Sequence, residues 1–337
     1  SIKTTIDRYG MIYEYVKQRE LQKYTEYMNK TNDMLSKNMS NFEKEFEIKN
    51  LTTFKTGGKI SEVFFPESVE EFVQILEQNG NLPVFGNLSN TLISNDGFDG
   101  KIALTTKMNS IQIEGSKVVA DCGVKGPKLS QEVCKAGLSG LEFMIGFPGS
   151  IGGEVFMNAS ANGQCISDKL TYVTCYSPEK GIVKYSKDDM EFEYRKSRCK
   201  RDKLIVLQAE FQLDTKPKEE IQRQMDENLA FRKSHQPSLA LPNCGSIFKN
   251  PQGDSAGRLL DSVGAKDLKI GGARVWENHA NFIVNDNNGT SSDILELMFE
   301  MYTKVKKSYN IELEPEIIFL GGLNKKENEI WKILNRK

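Results

Sequence analysis

One glycine-rich segment, residues 146–153, limits what this chain can fold into more than any other feature. Its sequence is Gly-Phe-Pro-Gly-Ser-Ile-Gly-Gly, so four of its eight residues are glycine. Glycine loses more conformational entropy on folding than any other residue and weakens the interior of helices and strands. The pattern therefore predicts a loop with unusual backbone angles, in which the chain can approach a ligand closely.

A second segment with glycine, residues 86–90, follows a predicted strand and has the sequence Gly-Asn-Leu-Ser-Asn. Because Gly86 has no Cβ, successive N–H groups in such a turn can form a nest for an anion, and a diphosphate fits that description. Neither segment is a Walker A loop, and neither has the Gly-x-Gly-x-x-Gly spacing of a Rossmann fingerprint. Tight turns without a ligand are the alternative interpretation.

The charges of the chain are balanced, with 45 lysines and arginines against 46 aspartates and glutamates. No global field therefore attracts nucleic acid or an anionic membrane, and any anionic ligand has to be held locally. Six scattered cysteines without a Cys-x-x-Cys pair, and only two histidines, argue against a disulfide framework and a metal site. The sequence has no apolar run of membrane-spanning length and no secretory signal pattern, so we expect a cytoplasmic protein.

The apolar residues divide the chain into an N-terminal extension and a larger body. Helical spacing in residues 1–40 predicts a helical extension, and a shift in composition near Thr215 indicates a domain boundary in the body. Strands are predicted at residues 63–65, 82–85, 102–105, 111–113, 118–120, 172–176, 182–185, 204–213 and 282–284, with a turn and strand at 245–248. Helices are predicted after a capping box at 68–71, from 129 to a terminator at Gly137, from 216 to the break at Pro237, from 256 to Gly264, and over 294–305.

Several short motifs follow one another along the body in one order. They occupy residues 50–58, 86–90, 146–153 and 157–159 in the first part, and 194–197, 244–251, 256–257, 271–273, 279–285 and 313–316 in the second. In order and spacing, the first set resembles the FAD-binding half of the UDP-N-acetylenolpyruvoylglucosamine reductase family, and the second resembles its substrate half. The resemblance covers residues 50–322, and a set of motifs in one order is more specific than any single motif.

The resemblance implies an α+β fold. A two-lobed FAD-binding domain of the PCMH (vanillyl-alcohol-oxidase-like) type would be followed by a C-terminal α+β substrate domain. The lobes would cover residues 41–106 and 107–214, the substrate domain 215–323 and a tail 324–337. Residues 213–232 leave no room for an inserted tyrosine loop, so the chain is similar to the compact type II subclass without a tyrosine lid, and a monomer is favoured.

The resemblance also implies a two-step activity. NADPH would reduce FAD, and the reduced flavin would pass hydride to the enolpyruvyl double bond of a UDP-sugar, giving UDP-N-acetylmuramate for peptidoglycan synthesis. Ser246 matches the family's proton donor, and Arg195 and Glu316 match the groups that bind and polarise the enolpyruvyl carboxylate. The implied cofactor-binding residues are Thr56, Gly57, Gly86, Asn87, Ser89, Asn90, Gly146, Pro148, Gly149, Ser150, Gly152, Gly153 and Asn158. The implied substrate-binding residues are Tyr194, Lys249, Asn250 and Asn281.

The chemistry accounts for these residue types. Hydride addition puts negative charge on the substrate carboxylate, which the permanently charged guanidinium of Arg195 stabilises. Glu316 has to be protonated or bridged to assist, and the Ser246 hydroxyl needs only to be well placed. Taken singly, each has a plainer interpretation, in which Ser246 closes a turn, Arg195 is a solvated charge and Glu316 lies at a rim. We expect His279 to be structural and His235 to end a helix.

Some residues differ from those that the family usually carries. They are Leu88 in place of glycine, Glu154, Ser160, Glu193 and Trp276 in place of smaller residues, and Ile318 in place of arginine. The differences motivate two other hypotheses. One is a divergent paralogue that acts on another substrate with the same flavin scaffold. The other is a non-catalytic flavin-binding scaffold whose N-terminal helices recruit a partner.

Overall fold

The computed structural model describes residues 41–238 and 240–336. From Glu43 onward the chain forms one compact unit. The predicted helical extension, residues 1–40, lies outside the described residues. No helix in the described part of the chain is both long and apolar enough to cross a membrane.

The first part of the body is built on a sheet with parallel strands. Its elements are β1 (Phe42–Glu47), β2 (Lys59–Phe64), α1 (Val69–Asn79), β3 (Val84–Phe85), β4 (Thr91–Ile93) and β5 (Phe98–Leu104). The strand order is β1-β2-β5-β3, and both β2 and β3 run parallel to β5. Helix α1 crosses between β2 and β3 and buries Phe72, Ile75 and Leu76, as its apolar stripe predicts.

The second part is built on an antiparallel sheet. Its elements are β6 (Ile111–Glu114), β7 (Lys117–Asp121), α2 (Gly126–Lys135), β8 (Leu138–Ser139), α3 (Ile151–Met157), β9 (Ser160–Ala161), β10 (Gln164–Cys165), β11 (Leu170–Ser177), β12 (Gly181–Ser186), α4 (Arg198–Arg201), β13 (Ile205–Gln212) and β14 (Asp214–Thr215). The five main strands have the order β12-β11-β13-β7-β6. Val173, Leu207, Ala209 and Phe211 are fully buried in the core between this sheet and helices α2 and α3.

The third part carries the longer helices. Its elements are α5 (Lys218–His235), α6 (Ala256–Ser262), β15 (Lys269–Ile270), β16 (Ala273–Val275), β17 (Ile283–Asn285), α7 (Ser291–Tyr309), β18 (Ile318–Leu320) and α8 (Lys325–Leu334). Strand β18 pairs in parallel with β4, which returns the end of the chain to the first part. Short 3₁₀ helices cover Thr105–Lys107, Glu142–Gly146, Ile166–Asp168, Asp188–Met190 and Ala265–Asp267.

The α+β class is confirmed, and most predicted strands and helices occur within a few residues of the expected bounds. The strand predicted at 245–248 was wrong, because that segment forms only isolated bridges, at Ser246 and Phe248. Gly137 and Gly264 have positive φ angles of 72° and 68° at the predicted helix ends, and His235 ends α5. The capping box is only partly as predicted. The Ser68 hydroxyl accepts the N–H of Glu71, but the Glu71 carboxylate accepts a hydrogen bond from the N–H of Glu67, one residue before the expected donor. The domain boundaries at 106, 214 and 323 stay predictions. The segment predicted as a tail contains α8, which buries Ile330 and Leu334.

The glycine-rich segment differs from the prediction. None of its four glycines has a positive φ, and Gly152 and Gly153 lie inside α3. The glycines instead permit close contacts, since a Cβ on Gly152 would lie 2.9 Å from Cβ of Cys122 and one on Gly146 would lie 2.7 Å from Cδ of Arg232. The predicted unusual backbone angles were therefore wrong. The missing Cβ matters here for space, not for backbone twist.

Candidate functional site

The two glycine-containing segments of the sequence lie against each other. Nδ2 of Asn87 donates to the carbonyl oxygen of Pro148 at 2.6 Å, which joins the turn after β3 to the segment before α3. A Cβ on Gly86 would lie 1.9 Å from Oγ of Ser150, so no larger residue fits without moving that hydroxyl. The structure thus brings together the segments predicted to grip a diphosphate.

Three of the predicted cofactor-binding residues have buried polar atoms without partners among the described residues, and one of them, Ser150, lies at this junction. Oγ1 of Thr56, Oγ of Ser150 and Oδ1 of Asn158 are buried and form no hydrogen bond with any described residue. Such atoms cost folding free energy unless water or a ligand satisfies them. Three of the predicted cofactor-binding residues therefore present unused hydrogen-bonding atoms, and the chain's own residues fit a polar, phosphate-bearing ligand such as FAD.

The remaining predicted cofactor residues support these segments. The carbonyl oxygen of Gly149 accepts a hydrogen bond from the N–H of Gly126 at 3.3 Å, and the N–H of Gly152 donates to Cys122 at 2.8 Å. Gly57 has a φ of 120°, a conformation that other residues rarely adopt. Asn90 connects to the third part of the chain, since its Nδ2 donates to the carbonyl oxygen of Glu316 at 3.0 Å. Ser89 and Gly153 lie beside Gly149 and Ser150 respectively.

Arg195 and Glu316 form an ion pair across 121 positions of sequence. Nε of Arg195 lies 2.6 Å from Oε1 of Glu316, and the two side chains are 18% and 14% exposed. Nη1 of Arg195 also donates to Oγ of Ser160 at 3.1 Å. No residue that the structure describes accepts a hydrogen bond from Nη2, so this edge of the guanidinium is available for a carboxylate.

Two opposing effects act on the Glu316 carboxyl. Burial raises its pKa above the ordinary value, while the positive charges of Arg195 and Lys249 act in the opposite direction. Backbone contacts fix its position, since its N–H donates to the carbonyl oxygen of Ile247 at 2.8 Å. The sequence requires that the Glu316 carboxyl be protonated or bridged, and the ion pair with Arg195 provides the bridge.

Ser246 lies on the segment that holds Glu316. It follows Gly245, which has a φ of 74°, and pairs with Phe282 in an antiparallel bridge. The next two residues, Ile247 and Phe248, bridge to the Pro315–Glu316 segment. Ser246 is half-buried, and its hydroxyl forms no hydrogen bond with a described residue that would mark it as a simple turn-closing group.

The predicted substrate-binding residues have different surroundings. Tyr194 is 54% exposed, with the guanidinium of Arg195 5.1 Å from its ring centre. Nζ of Lys249 pairs with Glu314 at 2.6 Å. Asn250 is exposed and accepts the N–H of Ala256 at 3.0 Å. Lys249 and Asn250 directly follow the segment that carries Ser246, and Tyr194 precedes Arg195, which pairs with Glu316.

Asn281 lies behind this segment. It is 3% exposed, and its amide both accepts from the N–H of Phe248 at 3.0 Å and donates to the Phe248 carbonyl at 2.8 Å. This geometry suits a residue that holds the Ser246–Phe248 segment in place, and its contact with a substrate stays a prediction. His279 has the structural role that the sequence predicts, because its Nδ1 accepts a hydrogen bond from the N–H of Asn281 at 3.1 Å.

Two contributors to the site were not predicted from the sequence. Nε of Arg232, near the end of α5, donates to the carbonyl oxygen of Gly146 at 2.8 Å and so ties the helix to the glycine-rich segment. Ser160 binds Arg195, although the sequence marked it only as a difference from the family. No local pattern reveals either residue, since each contact joins positions far apart in sequence.

Comparison with known proteins identifies the family. A family model described as the C-terminal domain of UDP-N-acetylenolpyruvoylglucosamine reductase matches residues 236–320, and an FAD binding domain model matches residues 60–185. The reductase of Caldicellulosiruptor saccharolyticus is 38% identical over 286 residues, which are 83% of this chain and 92% of that protein. The chain belongs to the UDP-N-acetylenolpyruvoylglucosamine reductase family. The reductase of Latilactobacillus sakei is also 38% identical, over 87% of this chain and 93% of its own.

A solved structure agrees with this assignment. The UDP-N-acetylenolpyruvylglucosamine reductase (MurB) of Thermus caldophilus covers 82% of this chain and 98% of its own, with a TM-score of 0.70 and 34% identity. The chain is thus an FAD-containing oxidoreductase of the UDP-N-acetylenolpyruvoylglucosamine reductase type, as predicted. Both glycine-containing segments lie within the matched FAD binding domain, and Ser246 and Glu316 lie within the matched C-terminal domain. These findings favour the main hypothesis over a divergent paralogue or a non-catalytic scaffold.

Proposed function

We propose that this chain uses NADPH to reduce the enolpyruvyl double bond of UDP-N-acetylglucosamine enolpyruvate, forming UDP-N-acetylmuramate for peptidoglycan synthesis. The observation that carries the proposal is the meeting of three motifs from separate parts of the sequence. Arg195 reaches Glu316, and the segment that carries Ser246 is hydrogen-bonded to the segment that carries Glu316. In a family of known chemistry, this is the arrangement that the reaction needs.

Bound FAD supplies the hydride chemistry, accepting hydride from NADPH and delivering it to the substrate. The residues that would hold it are those with unused polar atoms, Thr56, Ser150 and Asn158, together with the backbone of the two glycine-containing segments. The missing Cβ of Gly86 lets the two segments pack together, since a Cβ there would lie 1.9 Å from Oγ of Ser150. Donors fixed before the ligand arrives bind a diphosphate without reorganisation.

Arg195 and Glu316 would act on the carboxylate of the enolpyruvyl group. When hydride adds to the double bond, negative charge spreads onto this carboxylate, and the forked guanidinium stabilises it. Glu316 keeps the guanidinium oriented through the contact at 2.6 Å, and Ser160 holds Nη1. The fixed geometry avoids the free-energy cost of ordering a long side chain during the reaction.

Ser246 would give its hydroxyl proton to the carbon next to the carboxylate. A serine hydroxyl is a weak acid, but the charged intermediate is strongly basic, so placement decides the rate. The positive φ of Gly245 and the bridge to Phe282 fix the backbone of Ser246. Lys249 and Asn250 follow this segment and Tyr194 precedes Arg195, and these three residues are proposed to contact the UDP-sugar.

We also propose that the protein acts as a monomer in the cytoplasm, which contains both NADPH and nucleotide sugars. Sedimentation of the purified protein over a range of concentrations tests the oligomeric state. A concentration-dependent rise in mass would contradict this part of the proposal without affecting the assigned reaction.

The reaction is tested by following NADPH absorbance with the purified, flavin-loaded protein. We expect NADPH oxidation to depend on UDP-N-acetylglucosamine enolpyruvate. Ser246→Ala should lower kcat by about two orders of magnitude or more, the usual contribution of general acid catalysis. Flavin reduction by NADPH should survive in this variant, because the serine acts only in the second half of the reaction.

The matched control is Ser61→Ala, which removes an exposed hydroxyl that hydrogen-bonds to Asp99 in the first sheet. It should leave kcat unchanged. If the UDP-sugar neither binds nor speeds the reoxidation of reduced flavin in the wild-type protein, the proposed reaction is wrong.

A further inference from the structure

Glu154 is a buried carboxyl group that the mechanism above does not use. It lies in α3 and is 4% exposed. Neither of its carboxyl oxygens forms a hydrogen bond with any residue in the described part of the chain. A buried carboxyl without a partner lowers the stability of the fold, which indicates that a bound ligand satisfies it or that it has another function.

The Glu154 carboxyl faces the segments assigned to the cofactor. Oε1 lies 3.1 Å from the position that a Cβ on Gly149 would take, and Oγ of Ser89 lies 3.6 Å from the same position. On the other side, Oε1 lies 2.7 Å from the Cβ position of Gly126, whose N–H bonds to Gly149. The group therefore lies between Gly126 and Gly149, beside the segments where the diphosphate is expected.

Burial alone raises the pKa of Glu154, to about 8. Its helix packs against β7, β13, α4 and the 3₁₀ turn Ile166–Asp168, and its carboxyl faces the start of α2. The acidic groups of these elements all have partners: Asp121 binds Gln208, Glu210 binds Lys117 and Lys184, and Asp168 binds the N–H of Cys165. Among the basic groups, Arg198 and Arg201 bind Asp202, Lys128 binds Asn109, and Lys125 and Lys200 are exposed. The thiols of Cys122 and Cys199 are buried. None of them lowers the pKa of Glu154, so the carboxyl is protonated at neutral pH.

We propose that protonated Glu154 donates a hydrogen bond to a phosphate oxygen of bound FAD and thereby makes cofactor affinity dependent on pH. The inference rests on the proposed function, since it takes FAD as the ligand. A neutral carboxyl group has one O–H donor, and a phosphate oxygen is a strong acceptor. An ionised Glu154 would instead face the diphosphate with a like charge in buried surroundings, which disfavours binding.

Proton linkage fixes the direction of the effect. Below its pKa, Glu154 already carries the proton, and FAD binds without proton exchange. Above its pKa, each FAD that binds takes up one proton from solvent onto the Glu154 carboxylate. The Kd for FAD should therefore be constant at neutral pH and rise about tenfold for each further pH unit above the pKa.

The test is a titration of the FAD-depleted full chain, followed by flavin fluorescence, from two pH units below this pKa to one and a half above it. Glu154→Gln keeps a donor and cannot ionise, so its Kd should stay flat and close to the low-pH value of wild type. Glu154→Ala should also be flat, but with a Kd about threefold to tenfold higher from the lost hydrogen bond. Glu142→Gln is the matched control, because Glu142 is also buried but accepts the N–H of Gly140. It should retain the pH dependence of wild type.

Calorimetric titration in buffers of different ionisation enthalpy gives the proton uptake directly. We expect one proton per FAD in wild type above the pKa and none in Glu154→Gln. A flat Kd in wild type, the same rise in Glu154→Gln, or full affinity of Glu154→Ala at low pH would overturn the proposal. If none of the variants nor wild type binds FAD at any pH, the proposed function itself fails. Because the test measures binding, loss of activity in a variant does not affect the outcome.

Discussion

Leu88 shows two opposing free-energy terms at a single residue. Its φ of 51° is in the left-handed region, which costs a residue with a Cβ about 1 kcal/mol. Its side chain is 4% exposed and packs in the core beneath the first sheet. Burial of a leucine side chain contributes about 1.5–3 kcal/mol, so packing outweighs the backbone cost.

This balance predicts an order of stability for variants at position 88. Leu88→Ala loses the packing and keeps the strained backbone, and should lower the free energy of unfolding by about 2–4 kcal/mol. Leu88→Gly loses the same packing but relieves the strain, and should be more stable than Leu88→Ala by about 1 kcal/mol. Urea unfolding of the three proteins measures this. A glycine variant less stable than the alanine variant would contradict it.

The Arg195–Glu316 pair leads to a pH prediction. The pKa of Glu316 in the fold lies above its ordinary value, so its contribution is greatest at low pH and is lost as pH rises through the folded pKa. Arg195→Gln removes a charge that opposes this shift, so the pKa should rise further. The variant should therefore lose about 1–3 kcal/mol more than wild type between pH 5 and pH 8.

Urea unfolding at both pH values measures that difference. Arg195→Gln combined with Glu316→Gln should cancel the added pH dependence, because the titrating group is gone. Arg201→Gln removes an exposed arginine that pairs with Glu191 and Asp202, and serves as the control. Equal pH dependence in Arg195→Gln and wild type would show that Glu316 does not titrate in this range.

At the level of elements, α8 is held by one buried carboxylate. Glu327 is 1% exposed and accepts hydrogen bonds from the hydroxyls of Ser94 and Ser291 at 2.6 Å and of Ser292 at 2.7 Å. These serines lie in the turn after β4 and at the start of α7. One side chain thus connects α8 to two other elements.

We expect Glu327→Ala to lower the free energy of unfolding by about 3 kcal/mol, because two buried hydroxyls and one half-buried hydroxyl lose their acceptor. Glu329→Ala changes an exposed glutamate of the same helix and should alter stability by about 0.5 kcal/mol or less. Denaturant unfolding of both variants makes the comparison. Equal effects of the two substitutions would mean that the serine network does not stabilise the fold.

Elements with a regular apolar pattern could be predicted from the sequence. Helix α7 buries Ile294, Leu297, Met298, Met301 and Val305 on one face, as its stripe predicts. Helix α8 was not predicted, since it is short and the buried residue in its first turn is a glutamate whose partners are distant in sequence. The segment 146–153 was misjudged for a related reason, because the atoms that require its glycines belong to Cys122, Arg232 and other distant residues.

In the candidate site, too, local motifs could be predicted from the sequence and contacts between distant residues could not. Its residues could be predicted as parts of ordered motifs, and the structure joins Arg195 with Glu316. The contacts of Arg232 with Gly146 and of Ser160 with Arg195 could not be predicted, since they depend on how three parts of the chain meet. Tertiary proximity has no local sequence signal.

For the whole molecule, FAD should act as a link between segments that are distant in sequence. A ligand that binds only the folded state adds about 2.7 kcal/mol of stability at a concentration one hundred times its Kd. We therefore expect FAD to raise the Tm by a few degrees in thermal unfolding. FMN has the same ring without the diphosphate, so its effect at equal concentration should be clearly smaller. An equal shift with FMN would contradict the assignment of the glycine-containing segments to the diphosphate.

The parallel pair formed by β4 and β18 has a consequence for synthesis of the protein. Thr91–Ile93 pair with Ile318–Leu320, and Asn90, beside β4, bonds with both Glu316 and Ile318. During translation, β4 therefore has no β18 to pair with until more than two hundred further residues have been synthesised. We expect a nascent chain to acquire its flavin only near the end of translation, and a chain truncated before β18 to leave an open strand edge that chaperones must cover.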